Sequence, residues 1–188
     1  MKLWPVAVAF CLVFALAPAF ADDPALVDLR VERKGEQVLV SGRLEGGLSP
    51  KLIEEVSAGI ETTIVYRLHL HLRRGGLPDP AVTKMKVFCT VRRDALTRQY
   101  TLTRRIDEEV DETRVTEDEA EMRTFITSMD AVPIARHDDL SEDGEYYLKA
   151  KARVGMMWRW YLLPWPLDTD WVRVGLDSPQ SDPGDHDS

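Results

Sequence analysis

Two imidazoles, His69 and His71, flank Leu70 in an alternating run, and a third, His137, precedes Asp138 and Asp139. Histidines two apart on a strand share one face, a spacing that metal sites use. With the His137–Asp139 segment added they would form a ligand set for a metal-dependent or hydrolase-like enzyme. Nothing in the order of residues brings that segment to the strand, and two histidines on a solvated sheet face are the simpler reading. Cys89 shares its phase with Met85, Val87 and Val91, which points it to the core as a small hydrophobe and away from the histidines. No G-x-S-x-G elbow, H-E-x-x-H helix, P-loop or dinucleotide fingerprint occurs. The carboxylates crowded between Asp107 and Glu121 read as a solvated like-charge cluster, not a glycosidase pair. The expectation is a non-enzymatic chain: no catalytic residue, no metal site and no cofactor are assigned.

Binding chemistry is better represented. Trp158, Trp160, Tyr161, Trp165 and Trp171 gather within one segment, interrupted by Pro164 and Pro166. Tryptophan suits places where an apolar body meets a polar edge, as in ligand pockets, protein interfaces and membrane surfaces. Two fates are open: the rings close one end of the core, or they form a recognition surface with Trp158, Trp160, Tyr161 and Trp165 as the binding candidates. Trp171 leads into a regular strand and is expected in the core; Trp165, between prolines, is expected outside. A second feature is cationic. Arg67, His69, His71, Lys84, Lys86, Arg92, Lys149, Lys151 and Arg153 fall on the outward faces of three strands, which would make one basic sheet face if those strands are neighbours. Such a face could meet an anionic partner or membrane headgroups, or simply sit near the acidic 107–121 segment.

The elements that must position these residues are mostly strands. Val27, Leu29 and Val31 alternate with charged residues, Lys34-Gly35 reads as a turn, and Val38, Val40, Gly42 and Leu44 continue as a hairpin. Ser49-Pro50 starts a short helix carrying Leu52, Ile53, Val56 and Ile60, with Gly59 at its end. Ile64 to Leu72, Met85 to Val91, a strand from Tyr100, Tyr146 to Met156 and Val172 to Leu176 all alternate. Thr116 and Glu119 make a T-x-x-E capping box before Met122, Phe125, Ile126 and Met129. The fold class is mainly β (α+β), an antiparallel β-sandwich with two short helices.

Addressing and charge bound the rest. Lys2, an apolar run from Leu3 to Ala19, and Ala19-Phe20-Ala21 form a signal peptide over residues 1–21, with cleavage expected after Ala21. The rival reading, a membrane anchor, meets an apolar run at the short limit for spanning, followed by Asp22 and Asp23 in place of basic residues. Residues 22–177 then form a single β-rich domain. Residues 178–188, rich in Ser, Pro, Gly and Asp, read as a disordered acidic tail. Cys89 is left as the one thiol after cleavage, so no intramolecular disulfide is possible. The formal charge of −8 argues against nucleic acid as a partner. The partner class expected is a protein or envelope component, with membrane-surface contact open, in the periplasm or outside the cell.

The segment Asp94-Ala95-Leu96-Thr97-Arg98-Gln99-Tyr100, with the helix–strand unit around Ser57 to Val65 and Leu163-Pro164-Trp165-Pro166-Leu167 followed by Trp171, resembles an uncharacterised family of exported proteobacterial proteins, a domain of unknown function. The resemblance covers nearly the whole processed chain. It implies an exported Gram-negative protein, sometimes encoded beside a nitrogen-type sensor kinase, and no established activity.

Overall fold

The computed structural model describes residues 23–141, 143–159 and 163–176, with backbone alone for 156–159 and 163–166. The expected signal peptide (1–21) and acidic tail (178–188) lie outside the described residues. So do Trp160 and Tyr161 entirely, and the side chains of Trp158 and Trp165.

Ten strands and two helices follow one another as β1 (Ala25–Lys34), β2 (Gln37–Glu45), α1 (Pro50–Ser57), β3 (Thr62–Leu72), β4 (Ala81–Arg93), β5 (Tyr100–Ile106), β6 (Glu109–Thr116), α2 (Glu119–Thr127), β7 (Ser128–Arg136), β8 (Tyr146–Arg159), β9 (Leu163–Asp168) and β10 (Val172–Gly175). All described pairings are antiparallel, in a three-stranded sheet of order β1-β2-β7 and a long sheet of order β10-β8-β3-β4-β5-β6 with β9 also on β8. The chain is thus a mainly-β α+β sandwich.

Alternation builds the core. Ile64, Tyr66, Leu68 and Leu70 on β3, Val87, Cys89 and Val91 on β4, and Leu148, Ala150 and Ala152 on β8 are closed to solvent and meet Val31, Val38 and Val40 from the short sheet. Each large apolar side chain so buried contributes about 1.5–3 kcal/mol. Among the described residues the core is built on the inner face of the long sheet, while the outward side chains of β3 are half-buried.

Both helices are capped by local chemistry. Ser49 Oγ accepts from Leu52 N at 3.3 Å and Pro50 opens α1. At its other end Gly59, at φ +83°, donates to Val56 O while Ile60 N donates to Glu55 O, a Schellman closure that needs the left-handed conformation glycine tolerates. In α2 the N-cap is Asp118, whose carboxylate accepts from Ala120 N at 2.8 Å, and Tyr66 donates its buried hydroxyl to the carbonyl of Ile126 at 3.0 Å.

Several expectations are corrected. The T-x-x-E box does not form, because Thr116 is still held by β6, paired to Tyr100, so the helix starts two residues later. Met129 belongs to β7, and Ile60, past the Schellman turn, is 55% exposed. A bulge at Asp28, where φ is +52°, shifts the phase of β1 so that Leu26 is buried in place of Val27. The first turn is Gly35-Glu36, since Lys34 pairs with Gln37. Trp171 is 44% exposed: the alternation that turns Val174 inward turns Trp171 and Arg173 outward. The acidic segment contains a strand, β6, and β7 and β9 are further strands that the alternation had not shown.

Candidate functional site

The three basic strands are neighbours. In register, Arg67 on β3 lies between Lys86 on β4 and Lys151 on β8, and His69 lies between Lys84 and Lys149. Lys149 in turn faces Arg173 on β10. Cationic side chains therefore stand directly opposite one another across three strand boundaries, an arrangement that costs stability.

Some of these charges are neutralised within the fold. Asp168, at the end of β9, accepts from Arg153 Nε at 2.7 Å and Nη2 at 3.1 Å, and from Lys151 Nζ at 3.0 Å. The Arg153 hydrogen bond, followed by that of Lys151, holds the Asp168 carboxyl down at about 2. Arg67, Lys84, Lys86 and Lys149 make no ion pair among the described residues. Arg67 Nε, like Arg93 Nε at the end of β4, is shut off from solvent without a hydrogen-bond partner among the described residues. A cleft of ≈ 850 Å³ opens here, lined by Arg67, His69, Lys84, Lys86 and Phe88 and also by the carboxylate residues Asp107, Glu108 and Glu109.

Aromatic groups frame the same face. The Trp171 ring lies 4.9 Å from that of His69 and takes Lys151 Nζ 5.2 Å from its centre. Burial, and then Lys84, His71, Arg67 and Lys149, press the His69 imidazole below its ordinary value. Tyr147 stacks on His71 at 5.2 Å, is covered by the Arg173 guanidinium at 4.5 Å, and donates to Asp79 at 2.9 Å. Asp79 also accepts from Arg74 N, the main reason its carboxyl sits below the usual range. Tyr147 is consequently buried although it faces outward.

The histidines are not brought to His137. His69 and His71 stand on the outer face of β3 with ring centroids 6.2 Å apart, and His71 Nδ1 lies 3.2 Å from the Asp79 carbonyl. His137, Asp138 and Asp139 form a 3-10 turn after β7, in the other sheet, where His137 N donates to Glu36 O. Among the described residues no group of three or more His, Cys, Asp or Glu side chains is placed to hold a metal ion. Cys89 faces the core, and burial pushes its thiol up to about 12, so it supplies no thiolate near neutrality.

The acidic segment has structural duties. Asp111 and Glu112 bind Arg104 at 2.8 and 2.7 Å, and Glu112 also meets Arg114. Asp94, which opens the Asp94–Tyr100 segment, ties the β4–β5 loop by accepting from Leu96 N at 2.7 Å and Thr97 N at 3.0 Å. That loop ends with Arg98 at φ +61°.

Of the aromatic binding candidates, Trp158 and Trp165 lie on a two-stranded ribbon in which Met157 pairs with Trp165 and Trp158 with Pro164. The organisers Asp168, Asp79 and Tyr147 were not legible as site residues: Tyr147 and Asp79 meet from 68 residues apart, and the register that sets Asp168 against Lys151 and Arg153 passes through a bulge. Their only signal was parity: Lys151 and Arg153 share a phase that needs a counter-charge.

No curated protein and no solved structure matches the chain. A family model described as a domain of unknown function matches residues 21–173, the extent over which both sheets and the basic face are built. The chain belongs to that family, the domain of unknown function DUF4390.

Proposed function

We propose that the chain is an exported, non-enzymatic binding domain of the cell envelope, released after Ala21, whose contact surface is the outer face of the long sheet. The observation that carries this reading is the set of four cations, Arg67, Lys84, Lys86 and Lys149, without an ion pair among the described residues and held in cross-strand register on a protein of formal charge −8. Like charges placed opposite one another lower stability, and an anionic partner would relieve them. Trp171 adds an exposed ring to the face, and Trp158, Trp160, Tyr161 and Trp165, close to it in sequence, are the further aromatic contact candidates. Buried Cys89, separated His137 and the structural employment of the acidic segment give an enzymatic reading no group to build on.

The test is fractionation of exporting cells. The intact mass of the recovered protein should begin at Asp22, and wild type should remain with the envelope at low salt. A chain with Lys84→Glu and Lys149→Glu should be released while its unfolding midpoint stays at or above that of wild type. Equal retention of both proteins would refute the assignment of the contact to this face.

A further inference from the structure

The chemistry beside these cations narrows the partner. A protein interface of specific kind concentrates aromatic groups at its centre and excludes charge from it. The outer face here does the reverse. Its cations are spread over β3, β4, β8 and β10, and its exposed indole, Trp171, stands among them, 4.9 Å from His69 and 5.2 Å from Lys151.

The sheet continues into an apolar extension. The last pairing of β3 with β8 joins Val65 to Arg153. Beyond it, from Gly155 to Arg159, β8 pairs only with Leu163 to Leu167 of β9 among the described residues. In sequence the paired stretches 155–159 and 163–167 carry Met156, Met157, Trp158, Leu163, Trp165 and Leu167, with Arg159 as their one charged residue. Spread cations next to tryptophan and an apolar hairpin fit the boundary of a bilayer, where basic side chains meet phosphates and indoles sit at headgroup level.

We propose that this face docks on the surface of an anionic lipid bilayer, with Arg67, Lys84, Lys86 and Lys149 opposite headgroup phosphates and Trp171 and the β8–β9 ribbon in the headgroup layer. The proposal rests on the reading of the outer face as the contact surface and supplies its partner. Two kinds of attraction are needed together, because a basic patch alone binds a membrane weakly and reversibly.

The experiment is vesicle co-sedimentation of the protein recovered from exporting cells. Vesicles of phosphatidylcholine mixed with phosphatidylglycerol should bind it, vesicles of phosphatidylcholine alone should bind it far less, and added salt should release it. Each Lys or Arg near such a surface multiplies partitioning roughly five-fold. Replacing Lys84 and Lys149 by Glu should therefore lower binding by about 25-fold or more, with circular dichroism and the urea midpoint confirming a folded variant. Equal binding to the two vesicle types, or binding that ignores the double substitution, overturns the lipid assignment. Inorganic polyphosphate and an acidic peptide serve as parallel probes. If either binds in a manner dependent on Lys84 and Lys149 while vesicles do not, the lipid inference falls and the contact face stands. If the substitutions alter binding to no probe, both fall.

Discussion

Replacing Asp168 by Asn separates the part of the basic face that serves stability from the part left for a partner. Asp168 is the counter-charge for Lys151 and Arg153, through three hydrogen bonds of 2.7 to 3.1 Å. Drawing its carboxyl from the ordinary 3.8 down to about 2 corresponds to at most about 2.5 kcal/mol. The Arg153 side chain is 38% exposed, against 17% for Lys151 and Asp168, so solvent screening reduces the expected loss to about 1–2 kcal/mol. The sign follows from linkage. A depressed folded-state value gives stability that is present above 3.8 and lost as the pH falls through about 2. Urea unfolding of both proteins from neutral pH downward should show Asp168→Asn less stable at neutrality, with the gap closing under acid as the wild-type carboxyl protonates. The same variant should bind anionic vesicles more tightly, because two further cations are freed. A gap that stays constant through the acid range, or no gap at neutrality, would refute the electrostatic account of this clamp.

Three further outcomes follow from other sites. Tyr66→Phe should cost about 1–3 kcal/mol in chemical denaturation, since it leaves the carbonyl of Ile126 buried without its donor. Cys89, with its thiol pushed up to about 12 by burial, should react with a thiol reagent only at the rate of unfolding; rapid modification of the native chain would contradict its placement. Lys149→Glu should raise the urea midpoint, as a like-charge pair with Arg173 becomes an opposite-charge one worth about 0.2–1 kcal/mol, while binding to anionic vesicles falls.

How far the fold could be read from residues depended on whether each strand has one buried face. In β3, Ile64, Tyr66, Leu68 and Leu70 are buried and Arg67, His69 and His71 are not, so the alternation is plain in the chain itself. β6 is an edge strand with Val110 63% and Val115 60% exposed, so neither of its faces carries a core signal and it reads as an acidic loop. β7 has Pro133 within it and Ala131 at φ +49°; proline is tolerated because the strand lies at the edge of the short sheet, and the irregularity erases the period. For the candidate site, the charge of each strand was legible, whereas the adjacency of β8 and β3, about eighty residues apart in the chain, was not. Trp171 faces outward by its parity with Arg173, a signal masked by its position next to the regular final strand.

The basic face is where local physics and the global fold disagree. Several charges elsewhere are placed to help the fold: Arg104 sits between Asp111 and Glu112, Arg123 reaches Glu119 one helical turn away, and Arg43 is held by Asp28 and Glu45. A chain with 32 acidic residues against 24 Lys and Arg has counter-charges to spare. Yet Arg67 faces Lys86 on one side and Lys151 on the other, Lys149 faces Arg173, and four of the cations form no ion pair among the described residues. A substitution at any one of these positions to Glu would satisfy its neighbours, and proteins retain such unrelieved features chiefly where function requires them. Solvation alone explains an isolated lysine on a surface. It does not explain why unrelieved charge gathers on the outer sheet face that also carries Trp171 and leads into the apolar β8–β9 ribbon. A partner that supplies negative charge and an apolar boundary together accounts for both halves of that arrangement.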